Sequence, residues 1–215
     1  MTEPVEEIDA STRMAGYVFV AAAGLFAVIA HRVGTRQTES VDQTVRGHMQ
    51  ELRRPAIDIA VKPVTLLSLP ILVVTATAGL ALWLRNSGRR DAALAVAITP
   101  IMAATAGQSF TTFLAQRNPP DKGDSPNGEV TEPSFPSGHT TGVTAEALTI
   151  AYVLASEESM SPLVLGALVA WPLLVGVTRV YRDRHWITDV LAGWVAGIGV
   201  AALSSMLYSA SAREP

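Results

Sequence analysis

The 215-residue chain contains no cysteine. Disulfides and thiolate metal sites are therefore excluded, and the redox compartment cannot be read from the sequence. Charge is sparse as well. Charged residues make up 16% of the chain, the net charge is −3, and no basic stripe is present. This excludes nucleic acid as an expected partner. The chain also lacks internal repeats and low-complexity tracts. Its first ten residues are acidic, whereas a cleavable signal peptide starts with basic residues.

What the chain has is long uncharged apolar blocks. A helix needs about 20 apolar residues to cross the hydrocarbon core of a bilayer. Five blocks approach or exceed that length without a formal charge: Met14–Ala30, Pro63–Leu84, Ala92–Gln116, Ser159–Thr178 and Val190–Ala212. The mean hydropathy is positive. Segments this apolar in lipid are helical, because a helix satisfies its own backbone groups. The expected fold is an all-α integral membrane bundle of six transmembrane helices. The spans fall at about Met14–Ala30, Pro63–Leu84, Ala92–Leu114, Gly138–Ala155, Pro162–Thr178 and Ile187–Tyr208. Residues 14–209 form one domain, flanked by polar tails at 1–13 and 210–215. Kinks are expected at Pro70, Pro100 and Pro172.

Two connecting segments are polar. In Arg32–Lys62 the apolar residues Val41, Val45, Met49, Leu52 and Ile57 recur at roughly helical spacing. That describes either an amphipathic helix at the membrane interface or a solvated connecting helix. Thr111–Glu132 is rich in turn signals, including Pro119-Pro120 and Ser125-Pro126-Asn127-Gly128. A loop that long is usually functional or disordered. Arg85, Arg89 and Arg90 between the second and third spans place that loop in the cytoplasm. The loops after the first, third and fifth spans then lie outside, although the basic residues of Arg32–Lys62 run against the rule.

Two short segments carry chemistry, both on that outer face. Pro136-Ser137-Gly138-His139 leads into the fourth span, and Arg179 through Asp189 leads into the sixth. His185 and Asp189 are four residues apart and meet on one helix face. A carboxylate against one imidazole nitrogen fixes the tautomer and makes the other nitrogen a better nucleophile or base. Arg179 offers a planar fork suited to phosphate. Ser137 and Gly138 stand at a helix N-terminus, where backbone amides and the helix dipole favour an anion, and Gly138 allows close approach. His139 can protonate a leaving oxygen. Together these groups describe phosphoryl transfer without a metal.

Pro136-Ser137-Gly138-His139, with Arg179, five residues, His185, three residues and Asp189, resembles the type 2 phosphatidic acid phosphatase superfamily. That superfamily also includes bacterial undecaprenyl-pyrophosphate and phosphatidylglycerophosphate phosphatases and the vanadium haloperoxidases. The two motifs, about forty residues apart and each before a span, make the resemblance specific. It implies His185 as the nucleophile, Asp189 as the carboxylate that orients it, and His139 as the acid. It also implies Arg179, Ser137 and the Gly138 amide as phosphate ligands, with no metal or other cofactor.

The first motif departs from the family pattern of a lysine, six residues and Arg-Pro. Thr112 stands where the lysine belongs and Pro119 where the arginine belongs. Arg117 matches an extra arginine often found two residues earlier, and is expected among the phosphate-binding residues. Lys122, Arg182 and Arg184 are further candidates to fill the gap. Each charge-assisted bond to phosphate is worth on the order of 1.5–3 kcal/mol, so losing two weakens turnover by several tenfold steps unless something compensates.

Other polar residues have plainer readings. Arg182 and Arg184 suit lipid head groups, Trp186 and Trp194 suit an aromatic belt or ordinary packing, His31 and His48 suit a surface, and Asp183 suits solvent. Glu146 lies on a face similar to His139, with Gln108 or a threonine of the third span as its expected partner. A carboxylate inside a span is a functional candidate by default.

The resulting expectation is a metal-independent phosphatase. It acts on a phosphomonoester or diphosphate of a lipid, of polyprenyl diphosphate, phosphatidic acid or phosphatidylglycerophosphate type, through a phosphohistidine. A polyprenyl-linked phosphate of cell-envelope synthesis comes first, on family analogy alone. The active site is expected on the extracytoplasmic face of the cell membrane. The alternative is a weakly active or non-catalytic lipid-phosphate-binding membrane protein. A soluble vanadate-dependent haloperoxidase conflicts with the uncharged spans.

Overall fold

The computed structural model describes residues 3–114, 117–121, 132–156 and 161–211, and among these every regular element is an α-helix. In chain order they are α1 (Glu3–Gly34), α2 (Glu39–Glu51), α3 (Pro55–Leu67), α4 (Pro70–Asn86), α5 (Arg90–Phe113), α6 (Gly138–Ser156), α7 (Pro162–Tyr181) and α8 (Ile187–Ser211). Proline opens α3, α4 and α7, where its missing N–H costs nothing and its fixed φ suits the first turn.

Helix α8 is the centre of the bundle. It packs most extensively against α1 and α6, and also against α5 and α7. Its sequence allows this through Gly193 and Gly197, one helical turn apart. A Cβ at Gly193 would stand 2.9 Å from the carbonyl oxygen of Ser137, and one at Gly197 would stand 2.5 Å from Thr144 Cβ. Small residues at this spacing let two helix backbones approach closely in a membrane protein. The α6–α8 contact is therefore set at both glycines, and Gly193 fixes the very start of α6.

Among the described residues four helical stretches are long and apolar enough to cross a bilayer: Ala10–Gly34, Arg90–Phe110, Pro162–Tyr181 and Ile187–Ser211. The expected second span is broken. It consists of α3 and α4, bent by 49° relative to each other, and Pro70 starts α4 instead of kinking a continuous helix. Counting that pair as one span gives five. The expected fourth span, α6, is not among them, so the count of six is not reached among the described residues. The reason lies in what surrounds α6. It carries Thr140, Thr141, Thr144, Glu146 and Thr149, all buried inside the protein, and so has no need of a lipid-compatible surface. The peripheral helices do present one: Leu163 is 83% exposed, and Tyr17 and Ile71 are each 69% exposed. Pro100 and Pro172 lie inside α5 and α7 as expected.

The bundle has two distinct ends. At one, Tyr152 of α6 shares hydrogen bonds with Ser11 of α1 (3.2 Å) and Ser209 of α8 (2.8 Å). The α4–α5 turn lies at the same end, where Leu84, Ala92 and Ala93 pack with Val153 and Tyr208. The other end gathers α2, the start of α6, the α7–α8 turn and residues 117–121.

Helix α2 docks there through its polar stripe. Arg46 Nε donates to Asp183 Oδ1 at 3.1 Å, and Gln50 to Asp183 Oδ2 at 3.3 Å. Arg53, just beyond the helix, lies 3.0 Å from the same carboxylate. Asp183 is therefore not solvated, as its sequence context suggests, but buried, because three side chains converge on it. Its φ of 55° is in the left-handed region that Asp tolerates better than most residues. The apolar residues Val41 and Leu52 stay about half exposed.

Candidate active site

The α7–α8 turn places His185 two residues before α8. Asp189, in the first turn of α8, is fully buried. Its Oδ2 accepts the backbone N–H of Trp186 at 2.9 Å, the reach-back half of a capping box. His185 Nδ1 lies 3.6 Å from that oxygen, but 3.0 Å from the carbonyl oxygen of Ser134. A carbonyl only accepts, so Nδ1 donates in this contact and Nε2 is left with its lone pair. The sequence assigns the tautomer to Asp189. In the fold the Ser134 carbonyl makes that hydrogen bond, and Asp189 contributes a charge just beyond it.

His139 is the second residue of α6 and is half buried. The Ser137 N–H to Asp189 carbonyl hydrogen bond (3.0 Å) joins the start of α6 to the start of α8, so the structure places His139, His185 and Arg179 at the same end of the bundle. Arg179, in the last turn of α7, is 5% exposed. Its Nη2 donates to Ser68 Oγ at 3.2 Å, while its buried Nε has no partner. Its charged neighbours Arg182 and Arg184 are cations. A guanidinium cannot shed its charge by deprotonation, and buried charges are normally paired. Among the described residues no carboxylate is paired with this one.

Gly138 opens α6, and a Cβ there would meet nothing within 4 Å. The space beside this helix start is open. Ser137 behaves differently from its expected role on phosphate. It is fully buried, its Oγ is 2.9 Å from Thr140 Oγ1, and its N–H donates to the carbonyl of Asp189 at 3.0 Å. In this arrangement Ser137 ties α6 to α8 and does not face the open space.

Arg117 is likewise engaged elsewhere. Its Nε and Nη2 both donate to Asp189 Oδ1, at 3.0 and 2.6 Å. Nη2 also reaches Thr188 Oγ1 at 2.6 Å, and Nη1 reaches Asp42 Oδ2 at 2.8 Å. The expected phosphate ligand thus spends its donors on two buried carboxylates. Arg184 pairs with Asp121 at 2.9 Å, and Arg182 is exposed at the end of α7. Lys122 and the side chain of Thr112 lie outside the described residues. Trp186 donates from Nε1 to the carbonyl of Asn118 at 2.9 Å, and its ring lies under Arg46 and Arg117. Glu146 is deep in α6, bonded to Thr77 of α4 at 3.2 Å and not to the third span. Among the described residues no three His, Asp or Glu side chains are grouped so as to hold a metal ion.

Sequence reasoning missed three contributors. Asp42 comes from α2, Ser68 from the α3–α4 break, and the Ser134 carbonyl from the main chain. Asp42 falls at helical spacing with Arg46 and Gln50, a polar stripe that signals docking once the protein side of the helix is known. Ser68 sits two residues before Pro70, which marks the break but not its neighbour. No side chain marks a carbonyl.

The family model for the PAP2 superfamily matches residues 71–213. The chain is 39% identical over 79 residues to an undecaprenyl-diphosphatase of Sulfolobus acidocaldarius, covering 37% of this chain and 35% of that protein. It is 35% identical over 71 residues to phosphatidylglycerophosphatase B of Bacillus subtilis, covering 30% of this chain and 34% of that protein. Each match thus spans about a third of the relative's length. In three dimensions the fold is similar to the crystal structure of a transmembrane PAP2-type phosphatidylglycerolphosphate phosphatase from Bacillus subtilis. The TM-score is 0.71 at 21% identity, over 87% of this chain and 94% of that one. The family model spans more than half of the sequence and contains both motif segments, and on that basis the chain belongs to the PAP2 superfamily.

Proposed function

We propose that this protein hydrolyses the phosphate ester or anhydride of a membrane lipid through a phosphohistidine, without a metal. The observation that carries this reading is the buried Arg179 guanidinium, its Nε unpartnered, at the end of the bundle where α6 begins with His139 and the α7–α8 turn carries His185. His185 Nε2 attacks phosphorus, and the P–O bond to the lipid breaks as the P–N bond forms. His139 delivers a proton to the leaving oxygen. Water, deprotonated by His139, then attacks phosphorus and breaks the P–N bond, releasing inorganic phosphate and restoring both imidazoles. Arg179 and the first amides of α6 hold the phosphoryl oxygens, where charge-assisted bonds are strongest.

The apolar surface of the bundle and the relatives named above support a lipid substrate, with a polyprenyl diphosphate first, then phosphatidic acid or phosphatidylglycerophosphate. The site lies at the end opposite Arg85, Arg89 and Arg90. The preference of basic residues for the cytoplasm supports an extracytoplasmic site in the cell membrane.

The test is phosphate release from these three lipids in detergent, with and without chelator, by the wild type and His185→Ala. The reading expects chelator-resistant release that the substitution abolishes. Release lost on chelation contradicts the metal-free step, and full release by His185→Ala contradicts the nucleophile. A second reading, a lipid-phosphate binder with little turnover, is favoured by Arg117 being bound to carboxylates and by Thr112 and Pro119 in the first motif. Lipid phosphate binding with no release from any of the three supports that reading.

A further inference from the structure

We infer that Asp42, on α2, is a positioning residue for the His185–Asp189 pair, acting through Arg117 and the first turn of α8; the inference rests on the phosphatase reading above.

Asp42 is 2% exposed, although it lies on a polar connecting helix. Its Oδ1 accepts the backbone N–H of Thr188 at 3.1 Å, and both its oxygens lie 2.9 Å from Thr188 Oγ1. Its Oδ2 accepts from Arg117 Nη1 at 2.8 Å and from Thr38 Oγ1 at 3.1 Å. Two consequences follow. First, Asp42 satisfies a free N–H in the opening turn of α8. A local N-cap side chain normally does this; here the cap comes from another helix, so it fixes where α8 begins and hence where His185 leaves it.

Second, Asp42 changes what Asp189 presents to His185. Arg117 puts two N–H groups on Asp189 Oδ1. With no other partner, that guanidinium and Asp189 would form a closed, neutral pair. Asp42 takes the remaining side of the fork, so two carboxylates share one cation and the cluster keeps a net negative charge. Asp189 Oδ2, bonded to the Trp186 N–H and 3.6 Å from His185 Nδ1, is the oxygen that faces the imidazole. Asp42 thereby preserves a carboxylate charge beside the ring that Ser134 orients.

A double-mutant cycle tests this on the full chain in detergent: wild type, Asp42→Asn, Asp189→Asn and the double variant. Residues that act as one unit are non-additive. Asp42→Asn is expected to lower kcat roughly tenfold while KM changes less than about twofold, and to cost less than about twofold once Asp189 is already Asn. The ring ¹⁵N signals of His185, assigned with His185→Gln, are expected to move in Asp42→Asn and not to move further in the double variant. Equal loss in both backgrounds, a rise in KM alone, or unmoved His185 signals in Asp42→Asn would overturn the inference. If Asp42→Asn does not yield folded protein, Asp42→Ser takes its place in the same cycle, with the same outcomes. No release of phosphate by the wild type from any of the three lipids refutes the phosphatase reading alone, since the ¹⁵N signals still decide whether Asp42 acts on His185.

Discussion

His185 gives its Nδ1 proton to the carbonyl of Ser134 at 3.0 Å, and holds the Asp189 carboxylate at 3.6 Å. Orientation and charge therefore reach the ring from different groups. Asp189→Asn removes the charge and leaves the Ser134 contact in place. Its expected effect is a kcat loss of about 10²-fold, smaller than that of His185→Ala, because the ring stays oriented. Steady-state rates of the two variants check this, and equal losses would show that the carbonyl does not orient the ring.

Arg179→Ala is expected to cut kcat/KM by about 10- to 200-fold, the equivalent of one charge-assisted hydrogen bond of roughly 1.5–3 kcal/mol. Removing a buried cation that lacks a carboxylate partner among the described residues should leave the thermal midpoint unchanged or raised. A lowered midpoint with kcat/KM intact would make Arg179 structural.

Arg117→Ala leaves Asp42 and Asp189 buried without their shared cation. Breaking a buried pair costs about 3–5 kcal/mol, so a clear loss of thermal stability should accompany the loss of kcat. A variant with normal turnover and a normal melting point would remove Arg117 from both roles.

Gly197→Leu should destabilise the bundle by about 1–3 kcal/mol or more through overpacking, since even a Cβ meets Thr144 Cβ at 2.5 Å and the Thr141 carbonyl at 2.8 Å. Gly138→Ala meets open space and should melt with the wild type. Its turnover should fall, because the methyl group occupies the side on which the phosphate approaches. Melting curves and turnover of the two variants separate the packing glycine from the access glycine.

The all-α architecture and both histidine motifs are legible because they are local: runs of apolar residues, and chemistry packed into four and eleven consecutive positions. The break at Ser68 was hidden inside an apolar run, where Pro70 reads equally well as a kink or as a helix start. Asp42, Ser68 and the Ser134 carbonyl reach their partners across 146, 111 and 51 residues, and no spacing rule covers such distances. The sequence marks Arg117 as a phosphate ligand, and in the fold its donors go to Asp42 and Asp189. A cation near a phosphate motif reads as a phosphate ligand until the carboxylate arriving from α2 is seen. Glu146 was placed on the correct helix, with its hydroxyl partner on α4 and not on α5.

The hydrogen bond from the Ser137 amide to the Asp189 carbonyl, backed by the Gly193 contact, welds the roots of the two histidine-bearing segments together. His139, two residues beyond Ser137, and His185, four residues before Asp189, are therefore tied to one shared anchor between α6 and α8, so a substitution that loosens that anchor is felt at both rings.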